Sequence, residues 1–253
     1  MEAALEKITK INEDLTLIQS SDGLTFGSDA YLLSAFVSGG KNQVGVDLGS
    51  GTGIIPLLCA SREKAARIYA IEIQEKFVDL IERNADINAK SEILHPVLAD
   101  VRELKASSIG GEVDFVTANP PYMKLDSGKR NEHDEKFIAR HEVCGNIGDF
   151  CACAYRLLKH GGKFYVVWRP DRLVDLICAL RENRLEPKLI TFVCATPQSE
   201  PSMILVRSSK GAASGSVLTR TLFLHDSKDD AIQSKLSADA AKIYENCSFA
   251  DFK

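Results

Sequence analysis

The sequence predicts an α/β fold: a doubly wound, mostly parallel seven-stranded sheet with helices on both faces. Two observations carry that prediction. Short apolar runs rich in β-branched residues alternate with segments of helical period, and such alternation buries both faces of a parallel sheet. A glycine-rich turn, DLGSGTG (47–53), follows the first buried run and opens a helix, at the end of the sheet where open α/β folds bind ligands.

The elements follow in chain order. LTLIQSSDGLTF (15–26) reads as a short strand with Asp22-Gly23 as a turn, inside a loosely attached N-terminal segment. SDAYLLSAFVS (28–38) reads as an apolar helix with Ser28 as its N-cap, closed by Gly39 and Gly40. VGVDL (44–48) is the first buried strand, and a helix around 53–61 follows the glycine turn. ARIYAIEI (66–73) is a second strand. EKFVDLIERNADIN (75–88) is an amphipathic helix with Phe77, Leu80, Ile81 and Ile87 along one face. EILHPVLA (92–99) and VDFVTA (113–118) are the third and fourth strands, and the polar stretch 123–145 has no period. NIGDFCACAYRLLKHGG (146–162) reads as a helix closed by glycines. KFYVVW (163–168) is the fifth strand, and DRLVDLICALRENRL (171–185) another helix. EPKLITFVCA (186–195) and SMILVRSS (202–209) are late strands. After the connector GAASGS (211–216), SVLTRTLFL (216–224) is strand-like and a weak helix lies near 237–246. Residues 1–43 thus form an N-terminal strand and helix segment, 44–210 the main domain, and 211–253 an appended strand and helix.

Composition narrows the class. The 253 residues are 45% hydrophobic and 26% charged, ordinary for a globular domain. No apolar run approaches the roughly 20 residues that span a bilayer, and MEAALEKITKINEDL lacks the apolar stretch of a leader, so the chain reads as cytoplasmic. The seven cysteines are odd in number and lie mostly in apolar stretches, the pattern of buried reduced thiols. His141, Cys144, Cys151 and Cys153 lie close in sequence. A C-x-C spacing without a second pair fits small thiols facing a core better than a metal site, and no metal is expected. The net charge of −4 excludes a coat of basic residues for unselective nucleic-acid binding. A local cluster of Lys124, Lys129, Arg130, Lys136 and Arg140 is interleaved with Asp126, Glu132, Asp134, Glu135 and Glu142. Arg169 and Arg172 follow the fifth strand.

The glycine turn does not have the dinucleotide spacing and carries no phosphate-loop lysine. Asp47, at the end of the first strand, can receive an ammonium group. Glu72, near the end of the second, can accept ribose hydroxyls, and Asp100, after the third, an adenine amino group. A ligand with a cationic amino-acid tail, a ribose and an adenine fits that series, and S-adenosylmethionine is such a ligand. The order resembles the Rossmann-like class I S-adenosylmethionine-dependent methyltransferases over residues 44–206. Asp47, Gly49, Ser50, Gly51, Gly53, Glu72, Ile73, Asp100, Val101 and Asn119 are the residues that would line the cofactor.

The fourth strand ends in NPPY (119–122). An amine or amide nitrogen conjugated to a planar group is a poor nucleophile, because its lone pair is delocalised. The Asn119 oxygen and the Pro120 carbonyl can accept its two N–H bonds and hold it in line with a methyl donor. Pro120 and Pro121 fix φ and remove competing donors, and Tyr122 offers a flat face for stacking. NPPY resembles the N/D-P-P-Y/F/W signature of methyltransferases acting on planar nitrogens, among them adenine N6, cytosine N4, guanine N2 and glutamine N5.

LTFGSDAYLLSAF (24–36), a short N-terminus, NPPY and IARHE (138–142) together resemble the tRNA1(Val) (adenine(37)-N6)-methyltransferase family over nearly the whole chain. That resemblance implies methylation of adenine N6 in a tRNA anticodon loop. It implies Phe26, Gly27, Ser28 and Asp29 over the cofactor, and Tyr122 stacked on an adenine splayed from its loop. Lys124, Lys129, Arg130, Lys136, Arg140 and Arg169 become phosphate contacts to the tRNA. The overall acidity departs from what tRNA binding suggests. Two other readings stay open: a methyltransferase for another planar nitrogen (a release-factor glutamine, a ribosomal guanine or a small molecule), and a cofactor-binding protein without turnover, against which Asn119 and the Pro-Pro pair argue. Trp168 reads as core or pocket rim, and His133 and His141 as exposed.

Overall fold

The computed structural model describes residues 6–20, 27–120 and 145–252. A two-stranded antiparallel hairpin, β1 (Glu6–Lys10) and β2 (Thr16–Ser20), leads the chain. Its turn forms because the Asn12 side chain accepts the amides of Asp14 and Leu15, an Asx turn. The sequence reading had one strand here, and its Asp22-Gly23 turn lies outside the described residues.

The main sheet is built from β3 (Val44–Leu48), β4 (Arg67–Glu72), β5 (Leu94–Leu98), β6 (Val113–Ala118), β7 (Leu158–Trp168), β8 (Leu185–Cys194), β9 (Pro201–Lys210), β10 (Val217–Leu218) and β11 (Leu222–Phe223). Its order is β10-β8-β9-β7-β6-β3-β4-β5, with β11 also on β8. β3 to β7 run parallel, and β9 lies antiparallel between β7 and β8. Among the described residues the sheet has nine strands, not the expected seven: the piece at 216–224 splits into two short strands, both parallel to β8.

α1 (Ser28–Phe36), α2 (Ile54–Ser61) and α3 (Glu75–Ile87) pack on one face with α7 (Ala238–Asn246) and β2. α4 (Ile147–Leu157) and α5 (Leu173–Glu182) pack on the other. A short α6 (Lys228–Ile232) precedes α7. The fold is therefore the α/β sandwich that the alternating pattern predicts. No helix of the described residues is long and apolar enough to cross a membrane.

Four local expectations are corrected. Gly27, not Ser28, occupies the N-cap of α1, and no side chain caps it. α4 is not closed by glycines. It begins with an Asn146–Asp149 capping box and passes at Leu158 straight into β7. Gly161 and Gly162 lie inside β7, where the register against β6 shifts between Val113 and Phe115, as a bulge requires. Ile87 is exposed; the packed stripe of α3 is Leu80, Ile81, Asn84 and Ala85, because two asparagines on that edge bind β2. Asn84 accepts from Ile18 N and donates to the carbonyls of Ile18 and Thr52. Asn88 does the same for Thr16 N and O. These amides satisfy the open edge of β2, where an extended edge would otherwise expose its peptide groups. Cys151 and Cys153 are both buried in α4, as small core thiols; Cys144 and His141 lie outside the described residues. Trp168 is buried, its indole N–H donating to Arg172 O at 3.1 Å.

Candidate active site

The sheet order reverses at β3. From there β4 and β5 lie on one side and β6 on the other, which opens a crevice at the C-terminal ends of these strands. Asp47, Glu72, Asp100 and Asn119 lie in or just beyond those ends.

Asp47 is buried, at 1% exposure. Its Oδ1 accepts from Thr117 Oγ1 at 2.6 Å, while Oδ2 has no hydrogen-bond partner among the described residues. Thr117 is its register partner on β6. Burial pushes the Asp47 carboxyl up to about 7, against the Thr117 hydrogen bond that lowers it. A buried carboxylate oxygen without a donor costs free energy unless a cation or a proton meets it, so Asp47 suits the ammonium end of an amino-acid group.

The glycine loop is held by β4. Gly49 N and Ser50 N donate to Ile71 O, each at 2.9 Å, Gly51 N donates to Glu72 Oε2 at 2.9 Å, and Ser50 Oγ donates to Asp47 O. Gly51 has φ +54, and a Cβ built there would meet nothing within 4 Å. Only glycine takes that backbone cheaply while keeping the space above the loop clear. Glu72 Oε1 also accepts Ile73 N and Gln74 N. With three amides on its two oxygens, Glu72 has about one acceptor position left of the roughly four a carboxylate offers, so it latches the loop and has room for one ribose hydroxyl rather than two. Asp100 is likewise engaged: it accepts Arg102 N at 2.8 Å and pairs with the Arg102 guanidinium, which holds its carboxyl below the usual range. Val101 is buried beside it, and Arg156 of α4 donates to the carbonyls of Val101 and Leu104, fixing this turn.

Asn119 follows β6, half-buried, and its Nδ2 donates to Asp29 Oδ2 at 2.9 Å. The structure thus brings Asp29 from the first turn of α1 onto the NPPY asparagine across 90 positions of sequence. Ser28 lies beside it at the start of α1, and Pro120 is buried. Phe26, Pro121, Tyr122, Lys124, Lys129, Arg130, Lys136 and Arg140 lie outside the described residues, as does His133. Arg169 pairs with Asp171 at 2.6 Å, and Arg172 pairs with Asp175. The sequence reading missed Thr117 and Asn84. Thr117 is a polar residue in a mostly apolar strand, a signal that becomes readable only once β6 is laid beside β3. Asn84 lies on the buried stripe of α3 beside Leu80 and Ile81, where the sequence reading named only apolar residues.

Residues 33–146 match the TRM5/TYW2 methyltransferase domain family. A predicted O-methyltransferase from Agrobacterium tumefaciens shares the fold, with TM-score 0.64, 21% identity and coverage of 83% of this chain and 97% of that one. With the glycine loop and its acids, these give the chain a methyltransferase domain over residues 33–146 and the class I methyltransferase fold. Asp47 Oδ2 and the open cradle over Gly51 fit S-adenosylmethionine, the ligand that the sequence pattern implies.

Its curated relatives narrow the group. The tRNA1(Val) (adenine(37)-N6)-methyltransferase of Porphyromonas gingivalis is 29% identical over 215 residues, covering 82% of this chain and 84% of the relative. The enzyme of the same name from Phocaeicola vulgatus is 27% identical over 198 residues, 77% of this chain and 80% of the relative. The family resemblance drawn from the sequence is borne out.

Proposed function

We propose that the protein methylates the exocyclic N6 of an adenine in the anticodon loop of a tRNA, inside the cytoplasm. The observation that carries the chemistry is Asn119-Pro120 emerging from β6, directly beside the strand that ends in Asp47 and the glycine loop. The relatives named for adenine-37 methylation support the substrate.

S-adenosylmethionine, when bound, supplies an electrophilic methyl group. The chain supplies the geometry. Asp47 takes the ammonium end of the cofactor, and the Gly49–Gly53 loop and Glu72 line its tail and ribose. Asp100, with Ile73 and Val101, borders the adenine. Asn119 Oδ1 and the Pro120 carbonyl accept the N–H bonds of the substrate amine. This holds the nitrogen in line and favours a more pyramidal lone pair. The amine proton leaves after transfer, so no strong base is required. Tyr122, with Pro121 before it, is the side chain the sequence offers for stacking on the base. Lys124, Lys129, Arg130, Lys136 and Arg140 are its candidates for phosphate. Arg169, already paired with Asp171, is a further candidate.

The test is methyl transfer from labelled S-adenosylmethionine to total tRNA lacking the modification, followed by nucleoside analysis, with Asn119→Ala as control. N6-methyladenosine formed by the wild-type protein alone is the expected result. Cofactor binding without transfer to tRNA would move the substrate to another planar nitrogen.

A further inference from the structure

We propose that Asp29 is a positioning residue that sets which end of the Asn119 amide faces the reacting amine; this rests on the reading of Asn119 as the acceptor for that amine. The two ends of an asparagine amide have nearly the same shape and opposite hydrogen-bonding character. An asparagine alone at the end of a strand can present NH2 as readily as oxygen, and an NH2 group cannot accept a substrate N–H. A carboxylate accepts only. Asp29 Oδ2 lies 2.9 Å from Asn119 Nδ2, so it fixes the amide with NH2 toward α1 and Oδ1 turned away from Asp29. The flipped amide would set two acceptor oxygens against each other.

The surroundings hold Asp29 in place. A Cβ at Gly27 would lie 2.8 Å from Asp29 Oδ1, so the glycine leaves room for the carboxylate. Asp29 stands in the first turn of α1, where helix amides favour a negative charge. The far end of α1 is clamped: buried Lys64 Nζ donates to Ser34 O, Ala35 O and Val37 O at 2.6, 3.3 and 2.9 Å. Midway, Tyr31 stacks on Tyr244 with ring centroids 4.6 Å apart. Supports of this kind let one side chain orient another to within the tolerance that catalysis needs.

Four proteins test the proposal: wild type, Asp29→Asn, Asn119→Asp and the reciprocal swap D29N/N119D. Each is measured for S-adenosylmethionine affinity by calorimetry, and for kcat and KM on unmodified tRNA. Asp29→Asn is expected to lower kcat by about tenfold to a hundredfold, with cofactor affinity unchanged. Asn119→Asp sets two carboxylates against each other and is expected to be poorly active. The swap restores a donor facing an acceptor and is expected to recover about tenfold over Asn119→Asp alone. A structural role would not produce that rescue. Unchanged kcat in Asp29→Asn, or a swap no better than Asn119→Asp, overturns the proposal. So does a loss of cofactor affinity in Asp29→Asn that accounts for its lost activity, since Asp29 would then be a cofactor ligand. If the wild-type protein binds cofactor and methylates no tRNA, the functional reading fails separately. The positioning claim is then decided by the Asn119 side-chain amide resonances: a shift in Asp29→Asn supports it, and no shift overturns it.

Discussion

At Asp47, burial bears directly on the proposed cofactor site. Its carboxyl is raised from 3.8 to about 7 by burial, with the Glu72 charge adding to the rise and Thr117 opposing it. A carboxyl raised in the folded state favours folding most below its unfolded value, and that contribution is lost as pH rises through the folded value. The cofactor-free protein is therefore expected to lose stability as pH rises from 3.8 to about 7 at this site. Cofactor binding runs the other way. An ammonium needs the carboxylate, so below about pH 7 binding must expel a proton, and affinity should fall by up to about tenfold per pH unit. Calorimetry across about pH 5.5 to 8.5 should show this proton release in the wild-type protein and none in Asp47→Asn. A flat wild-type affinity would sink the assignment of the ammonium to Asp47.

Among the elements, α3 does more than cover the sheet. Its asparagines turn a helix edge into a peptide-binding strip for β2, and Asn84 reaches past β2 to the Thr52 carbonyl in the glycine loop. Hairpin and cofactor loop thus share one fully buried side chain. Asn84→Ala leaves a buried N–H and two carbonyls without that partner, and should lower unfolding free energy by about 2–4 kcal/mol. Urea denaturation reads the loss, and hydrogen exchange should show the Ile18 amide opening faster. Stability within about 0.5 kcal/mol of wild type would show that water replaces Asn84 without cost. The periodicity of α3 was legible in its sequence, and this use of it was not. An asparagine on the packed stripe looks like an interruption until β2 lies against it.

For the whole molecule, the C-terminal residues close the same face that the N-terminal helix covers. The Tyr31 hydroxyl donates to Tyr244 O at 2.5 Å, Phe36 meets Phe249 edge-on at 5.3 Å between centroids, and Phe249 meets Phe252 in turn. Arg220 lies 4.2 Å over the Phe252 ring and pairs with Asp239. Contacts between positions this far apart favour one cooperative unfolding transition over local fraying. Tyr244→Ala removes a ring stacked on Tyr31, and should cost about 3 kcal/mol while leaving a single calorimetric transition. A second transition appearing at low temperature would mean that the C-terminal segment melts by itself.

The sequence by itself determined the α/β class, the alternation of strands and helices from β3 to β9, and the place of the glycine loop and its acids at strand ends. These are written in local periodicity and in residue types that few backbones tolerate, so a short window contains them. Asp47, Glu72, Asp100 and Asn119 were found because each stands at the end of a recognisable strand. Only the tertiary structure decided which groups meet. Thr117 reaches Asp47 because β6 pairs with β3, and Asp29 reaches Asn119 because α1 packs at the end of β6. Glu72 and Asp100 proved to be engaged by Gly51 and Arg102 within the chain. Hydrogen bonds between distant residues depend on register and packing, which no local pattern encodes.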